Sequence, residues 1–418
     1  MGSLALVPLS HLKHREVVDE RGRHVSLLDL AVDVRDGEYP KISRVLVGRR
    51  NAPRQLPASE LRLSESGRDL RIDDLAPAAP SSAKDGVHEI LLLHDLVDAL
   101  IIDLERRGPA RVNDVLLEQH DEGLRLKAID TSARGIARRL TRGRWPAPSE
   151  ADLTDWRYVA FLRGDPDRRA DDVTCGRIAR LPPGEIARLS TALPYLHAAE
   201  LIGVLPDHAA AEVFSVLAPE RQIQVFEELG EEQASNLLAL LAPDAATDLL
   251  VRLEPGLARR HLDRLPEARH RLVVDLLQYP EHTVGGIMTN DVVLLPEHAT
   301  VGEASRRLRE CLSTPAFVYY VYIVDDLESR HLRGMVTLRE LLTADADASL
   351  HDVMNPYLTA LAPLDPARQA CNEVIDHRVQ ALPVVGDAGR ILGAVTADAA
   401  LAQIAPASWR ARTRNVFS

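Results

Sequence analysis

The spacing of apolar and polar residues along the chain changes twice, and each change marks a different kind of element. In the first part apolar residues come in short runs cut by turn residues, which predicts strands. Val17-Val18-Asp19, a turn at Glu20-Arg21-Gly22, and Val25 to Val34 read as a hairpin. Asp36-Gly37 then leads into Ile42-Ser43-Arg44-Val45-Leu46-Val47. A similar order recurs: Ile101-Ile102-Asp103, a turn at Arg107-Gly108, Val112 to Leu117, a turn at Asp121-Glu122-Gly123, and Leu124 to Ile129. Ala76 to Ser82, between the copies, has the composition of a linker. Two related β units packed together are expected.

From Leu181 the pattern becomes helical and countable. Leucine stands at 181, 193, 205, 217, 229, 241, 253, 265 and 277, twelve residues apart. Four residues before all but the first stands a second position: Leu189, Leu201, Val213, Val225, Leu237, Leu249, His261 and Val273. An i, i+4 pair marks one face of a helix. Proline or glycine follows each leucine at once or soon after, so the helices are held to roughly eight residues, a length that only packing can stabilise. Stacked in series they can bury a continuous apolar seam, as in a helical solenoid. His261 on that seam reads as a tolerated core residue.

From Glu281 to Ile404 the pattern turns α/β, again in two copies. Val318 to Asp325, a polar turn and Leu332 to Glu340 form one strand–turn–strand–helix unit. Ala381 to Val385, a turn at Gly386 to Arg390 and Ile391 to Asp398 form the other. Met288-Thr289-Asn290 and Val353-Met354-Asn355-Pro356 open the two units.

Composition narrows the function. A length of 418 residues implies about two to four domains. The formal charge of −12 argues against a nucleic-acid partner, because phosphate binding needs a basic face. Cys175, Cys311 and Cys371 stand far apart, which fits a reducing, cytoplasmic setting and neither a disulfide framework nor a zinc site. The most apolar stretch, Ile90 to Leu104, is broken by His94, Asp95, Asp98 and Asp103, whereas a spanning helix needs about 20 apolar residues. The chain by itself is therefore not expected to transport anything. No signal peptide, P-loop, G-x-G-x-x-G, H-E-x-x-H or G-x-S-x-G is present, so no enzyme is expected.

Three family resemblances rest on particular residues. Leu96 to Leu140 resembles PRC-barrel domains, which implies a small partner-binding barrel without chemistry of its own. The paired α/β units resemble CBS domains. Joined to the array, they resemble the cytosolic region of MgtE-type magnesium transporters. The residues that carry this are Ala198-Ala199-Glu200-Leu201, Leu241 to Leu250, and Tyr279-Pro280-Glu281-His282-Thr283-Val284-Gly285-Gly286-Ile287-Met288-Thr289. The chain departs from that family in ending at Ser418 without membrane spans, in its N-terminal β region, and in having few acids in its second CBS turn, Gly386 to Gly389. The expected fold is multidomain α+β. It comprises a PRC-barrel-like β region over 1–145, a linker over 146–180, a helical superhelix over 181–281, CBS domains over 282–345 and 346–405, and a basic tail over 406–418.

The candidate chemistry follows from the resemblance more than from spacing. Residues 181–281 hold 16 acidic and 8 basic residues. Asp244 and Asp248 fall on the family positions whose carboxylates meet Mg²⁺ at the contact with the CBS pair. Hard Mg²⁺ is commonly held by one or two carboxylates and several waters. The spacing alone fits equally a solvated acidic face with Asp244 as N-cap after Pro243. CBS domains that bind ATP or another adenosine nucleotide use a Thr with an acid three residues on. Thr337 with Glu340 keeps that pattern, while Thr396 has Ala399 there and Asp398 one position early. Both threonines also read as helix caps. The expected function is a Mg²⁺-sensing regulator in magnesium homeostasis, homodimeric through its CBS domains. It would act on a membrane transporter or channel partner, in the cytoplasm or peripheral to the inner face of the membrane. An adenosine-nucleotide sensor and a passive interaction scaffold are the alternatives. A hinge movement is expected near Tyr279 to Gly286, where Pro280, Gly285 and Gly286 interrupt regular structure.

Overall fold

The computed structural model describes residues 6–13, 16–49, 52–58, 61–63, 70–72, 79–80, 89–120, 123–141, 149, 152–162, 176–311, 318–356 and 358–404. The basic tail 406–418 lies outside them. The chain divides into two compact units, one within Met1–Val213 plus Glu228–Gly230 and the other within Phe214–Glu227 plus Glu231–Ser418.

In the first unit the two β copies are built on one plan and exchange their leading strands. Leu6–Pro8 pairs with Asp114–His120, in the second copy. Glu89–Leu91, which leads the second copy, pairs with His24–Asp33 in the first. Each exchange is fixed by a buried carboxylate of the receiving strand. Asp114 accepts the Ser10 amide at 3.1 Å and its hydroxyl at 2.6 Å, while Asp29 accepts the amides of Leu93 at 2.8 Å and His94 at 3.0 Å. The hairpin turns match as well, with Asp19 accepting the Arg21 and Arg23 amides and Asp103 those of Glu105 and Arg106. These carboxylates are buried at 5% exposure or less, and buried charge persists only where such donors replace water.

One core runs through both copies, including Leu9, Leu30, Val45, Leu92, Leu96, Ile101, Leu117 and Leu126. The described strands form open sheets of eight, four and three strands, and none closes into a barrel. Residues 146–180, read above as a linker, supply Leu153–Asp155 and Val159–Phe161 to two of these sheets. Trp156, Val159 and Phe161 are buried in the common core, and that burial draws the segment in. Ala79–Pro80, also read as linker, pairs with Arg54 and Gln55.

The helical array consists of Pro183–Ala192, Tyr195–Gly203, Asp207–Ser215, Pro219–Glu228, Glu231–Leu240, Pro243–Arg252, Pro255–Leu262 and Glu267–Leu277. Proline opens several of them at a first-turn position, where its missing N–H costs nothing. The seam is as the twelve-residue period requires. Leu193, Leu205, Leu217, Leu229, Leu241, Leu253 and Leu265 are all buried, as are the partner positions from Leu189 to Val273. Leu277 is 38% exposed, because its neighbour Leu276 takes the buried place at the end of the array. His261 is buried on the seam with its ring edge-on to Phe226, centroids 5.0 Å apart.

In the α/β part, Tyr320–Val324 lies between parallel Leu294–Pro296 and antiparallel Leu332–Thr337. Ala381–Val385 pairs with Ile391–Thr396, and Leu361 bridges to Val384 in parallel. The opening segments are crossed between the units. Thr289 exchanges backbone hydrogen bonds with Ala394, and Asn355 does so with Met335. Val284 and Met288 consequently sit in the second CBS core, with Leu361, Val374 and Val395.

Candidate metal centre and CBS cleft

Asp244 lies in the first turn of Pro243–Arg252, whose N-cap is Ala242 with Pro243 at the first helical positions. It is therefore not the N-cap, and its carboxylate is left for other work. Asp244 is half-buried as a residue, yet its Oδ1 is fully buried with no hydrogen-bond partner. Burial pushes its pKa up to about 6; Asp248 and Asp398 add to the rise, while its own backbone N–H and the Thr289 hydroxyl oppose it. A buried carboxylate oxygen without a donor is costly unless something positive shares its site.

Asp244, Asp248 and Glu281 line one cavity of about 40 Å³, with Thr247, Val251 and Tyr279 among its other walls. That volume exceeds the space one water needs. Asp248 is exposed one helical turn beyond Asp244. Among the described residues no three His, Cys, Asp or Glu side chains converge as a ready-made ligand set. The carboxylates of Asp244, Asp248 and Glu281, with one orphaned oxygen among them, offer Mg²⁺ hard ligands, while Val251, Leu276, Leu277 and Met288 make the rest of the wall apolar.

Asp398 was placed with the nucleotide residues from sequence, but its field acts on Asp244 and on Tyr319. It sits in the first turn of Ala397–Ala402, where an acid is favoured by the helix dipole, so its sequence position gave no cue to a second role. Glu281 and Thr289 were visible in the joint motif, but without a role.

The joint that brings these groups together is tightly packed. A Cβ on Gly285 would stand 2.6 Å from the Tyr279 ring, and one on Gly286 would collide with the Pro280 carbonyl. Leu276 shares a core with Val284 and Met288. Asn290 donates to the Leu272 carbonyl at 2.8 Å. Arg269 donates to the carbonyls of Ala239 at 3.0 Å and Leu241 at 2.5 Å and faces Asp291 at 3.5 Å. Both glycines stand where a Cβ would not fit, so they permit this close approach.

Thr337 and Glu340 form a complete capping box. Glu340 accepts both the amide and the hydroxyl of Thr337, at 2.8 and 2.9 Å. Thr396 caps its own helix, accepting the Ala399 amide at 3.4 Å. It also lines a cleft of about 30 Å³ with Thr289, Asp291, Tyr319, Tyr320 and Tyr322. The Tyr322 hydroxyl is buried there without a partner.

Residues 181–282 match the family model of the MgtE intracellular N domain, and residues 284–347 and 350–405 match that of the CBS domain. This part of the chain is an MgtE N domain followed by a CBS-domain pair, both regulatory or transport-related families.

Among individual proteins, the magnesium transporter MgtE of Thermus thermophilus is 34% identical over 133 residues, 32% of this chain and 29% of that protein. The MgtE of Enterococcus faecalis is 31% identical over 126 residues, 30% of this chain and 27% of its own length. The chain thus spans less than a third of the curated relatives it matches. The crystal structure of the cytosolic domain of the Mg²⁺ channel MgtE in complex with ATP is 29% identical with a TM-score of 0.52, and the match covers 55% of this chain and 94% of that one. The soluble part of a magnesium transporter is 26% identical at the same TM-score, covering 55% and 90%. No helix among the described residues is long and apolar enough to cross a membrane.

Proposed function

We propose that the chain is a Mg²⁺-responsive regulatory module, cytoplasmic, that acts on a membrane transporter or channel. The observation that carries this reading is the buried, unpartnered Oδ1 of Asp244, in a cavity that Asp248 also lines and within the field of Asp398. Asp244 and Asp248 would hold the ion, which supplies positive charge beside them and within the field of Asp398 when bound. Without that charge, their mutual repulsion and the burial of Asp244 disfavour the packed arrangement of array and CBS pair. A switch requires preferential binding to the packed state, since equal affinity for both states shifts nothing. Exposed apolar side chains on and beside the CBS helices, Leu342 at 84%, Leu364 at 70% and Ile375 at 53%, support a second copy of the chain as partner. Calorimetric titration with Mg²⁺, joined to small-angle scattering, tests the reading. The radius should fall at millimolar Mg²⁺ in the natural protein, and neither heat nor compaction should appear with Asp244→Asn plus Asp248→Asn. An unchanged response in that double variant would move the switch elsewhere.

A second reading is favoured by the tyrosine-lined cleft. Tyr319, Tyr320 and the unpartnered Tyr322 hydroxyl beside Thr396 offer aromatic faces and a polar atom to a base and a ribose, for which the cleft of about 30 Å³ would have to widen. Because Glu340 is committed to Thr337, an adenosine nucleotide would be held at the Thr396 side. ATP titration of Tyr322→Phe and of Glu340→Ala separates the two clefts, with the loss expected only in the first.

A further inference from the structure

A cavity of about 390 Å³, open to solvent, lies in the first unit against the second β copy. That volume is within the usual range for small-molecule sites. Leu100, Phe161 and Leu162 give it an apolar side, and His94, Asp95, Asp98 and His197 a polar one. The acids of the polar side are engaged by the fold. Asp95 accepts the Leu91 amide at 2.9 Å and pairs with the His94 ring at 2.9 Å. Asp98 has a partner of its own, and its backbone is tied to the Val112 carbonyl at 2.8 Å and to Arg111 Nε at 3.1 Å. His197 differs, because Nδ1 of its ring is buried with no hydrogen-bond partner. Burial holds this imidazole below its ordinary pKa, so near neutral pH the ring is uncharged. A buried polar atom left unbonded is destabilising, and a ligand that satisfies it gains accordingly.

The wall of this cavity also departs from its counterpart in the first copy by one residue. Leu6 and Glu89 are equivalent in the exchanged strands, since their partners Glu118 and Asp33 each stand four residues past the anchoring Asp114 and Asp29. Glu89 thus follows its counterpart by 83 residues, whereas Asp103 follows the matching hairpin acid Asp19 by 84. The second copy holds one extra residue between strand and hairpin, and the turn between them absorbs it. In the first copy the Lys13 amide bonds back four residues, to the Leu9 carbonyl at 3.0 Å. In the second the Val97 amide bonds back five, to the Leu92 carbonyl at 3.0 Å. Leu92–Leu96 is therefore a single π turn, a form that is rare in general and frequent at functional sites. His94 and Asp95 stand on it, at the cavity rim.

We propose that this cavity binds a small uncharged molecule that carries a hydroxyl on an apolar body. The body lies along Leu100, Phe161 and Leu162, and the hydroxyl bonds to Nδ1 of His197, which a turn of the ring about its soft χ2 torsion presents to the cavity. A hydroxyl both donates and accepts, so it suits either tautomer of a neutral imidazole. A charged ligand is disfavoured, because the acids on the wall are engaged and its charge would be set against apolar side chains without a counterpart.

Benzyl alcohol, benzoate and benzylammonium share one ring and differ in charge, and toluene lacks the hydroxyl. Ligand-observed NMR titration of the full chain near pH 7 should show saturable binding of benzyl alcohol, with benzoate and benzylammonium weaker by about tenfold or more. His197→Phe keeps a ring at the wall and should weaken benzyl alcohol by about three- to tenfold, the loss of one neutral hydrogen bond. Toluene should bind the variant at least as well as the natural protein, which shows that the cavity itself is intact. The charge series needs no variant and stands even where His197→Phe does not fold. No saturable binding of benzyl alcohol up to tens of millimolar would overturn the proposal. So would equal or tighter binding of either ion, or undiminished affinity for benzyl alcohol in His197→Phe.

Discussion

Replacing Asp244 by Asn should stabilise the metal-free protein near neutral pH, although it removes a charged group from a packed contact. Burial lifts the Asp244 carboxyl from its ordinary 3.8 to about 6 in the folded state. A raised carboxylate pKa means that the folded state binds the proton more tightly than the unfolded chain. Its contribution is therefore fully present below pH 4 and is lost as pH rises through 6. At about 1.4 kcal/mol per unit, ionised Asp244 costs on the order of 3 kcal/mol above pH 6. Asparagine keeps the shape and cannot ionise. Hydrogen exchange read by mass spectrometry over 243–252 and 267–277 would measure this, with variant and natural protein compared at the same pH in chelator. At pH 7.5 the variant should be better protected, by up to about a hundredfold. At pH 3.5, below the ordinary carboxylate pKa, the two should match, and saturating Mg²⁺ should close the gap at pH 7.5 by protecting the natural protein alone. A variant less protected than the natural protein at pH 7.5 without metal would refute the reasoning, because Asp244 would then be stabilised as an anion by something already in the fold.

Three further outcomes are expected. His261, whose pKa is lowered by burial and by Arg264 and Arg260, should weaken the array as pH falls below about 6.5, where the unfolded chain takes up the proton first; His261→Leu should melt above the natural protein at pH 5.5. Arg269→Ala strips two helix-end carbonyls and Asp291 of their donor and should cost about 2–3 kcal/mol in thermal unfolding. Gly285→Ala should destabilise by about 1–3 kcal/mol, since its Cβ meets the Tyr279 ring, whereas a glycine serving only as a flexible hinge would be stabilised by the change.

The parts of the fold most legible in sequence were those whose apolar period repeats. Nine leucines in register fix the array because each short helix offers the same face to its neighbours, and even the anomalous His261 lies where the period puts it. The β copies were visible as turn-bounded runs, but their strand exchange was not. Pairing between Leu6–Pro8 and Asp114–His120 leaves no local trace. Residues 146–180 were misread as linker because two three-residue strands around Trp156 are too short to show a period. At the site, Asp244 and Asp248 were reached through family resemblance, and their i, i+4 spacing alone could not separate a ligand pair from a wet helix face. Asp398 was missed as a neighbour of Asp244 because that proximity is created by packing. Glu340, whose spacing from Thr337 fits both a ribose partner and a helix cap, closes its own helix start.

The crossed leading strands of the β region also govern the order in which the nascent chain can fold. Leu6 finds its partner only at Glu118, so this strand, once synthesised, waits for more than a hundred further residues. At about 5–20 residues per second, that interval is on the order of ten seconds. During it the first copy has already made its long strands, but it lacks both the segment Glu89–Leu91 that completes its sheet and a home for its own leading strand. Neither copy can finish alone, and a chain cut between them would present two complementary open edges. The natural consequence of such a cut is reassembly of the two halves, or of two identical halves from different molecules, through the same exchanged pairs.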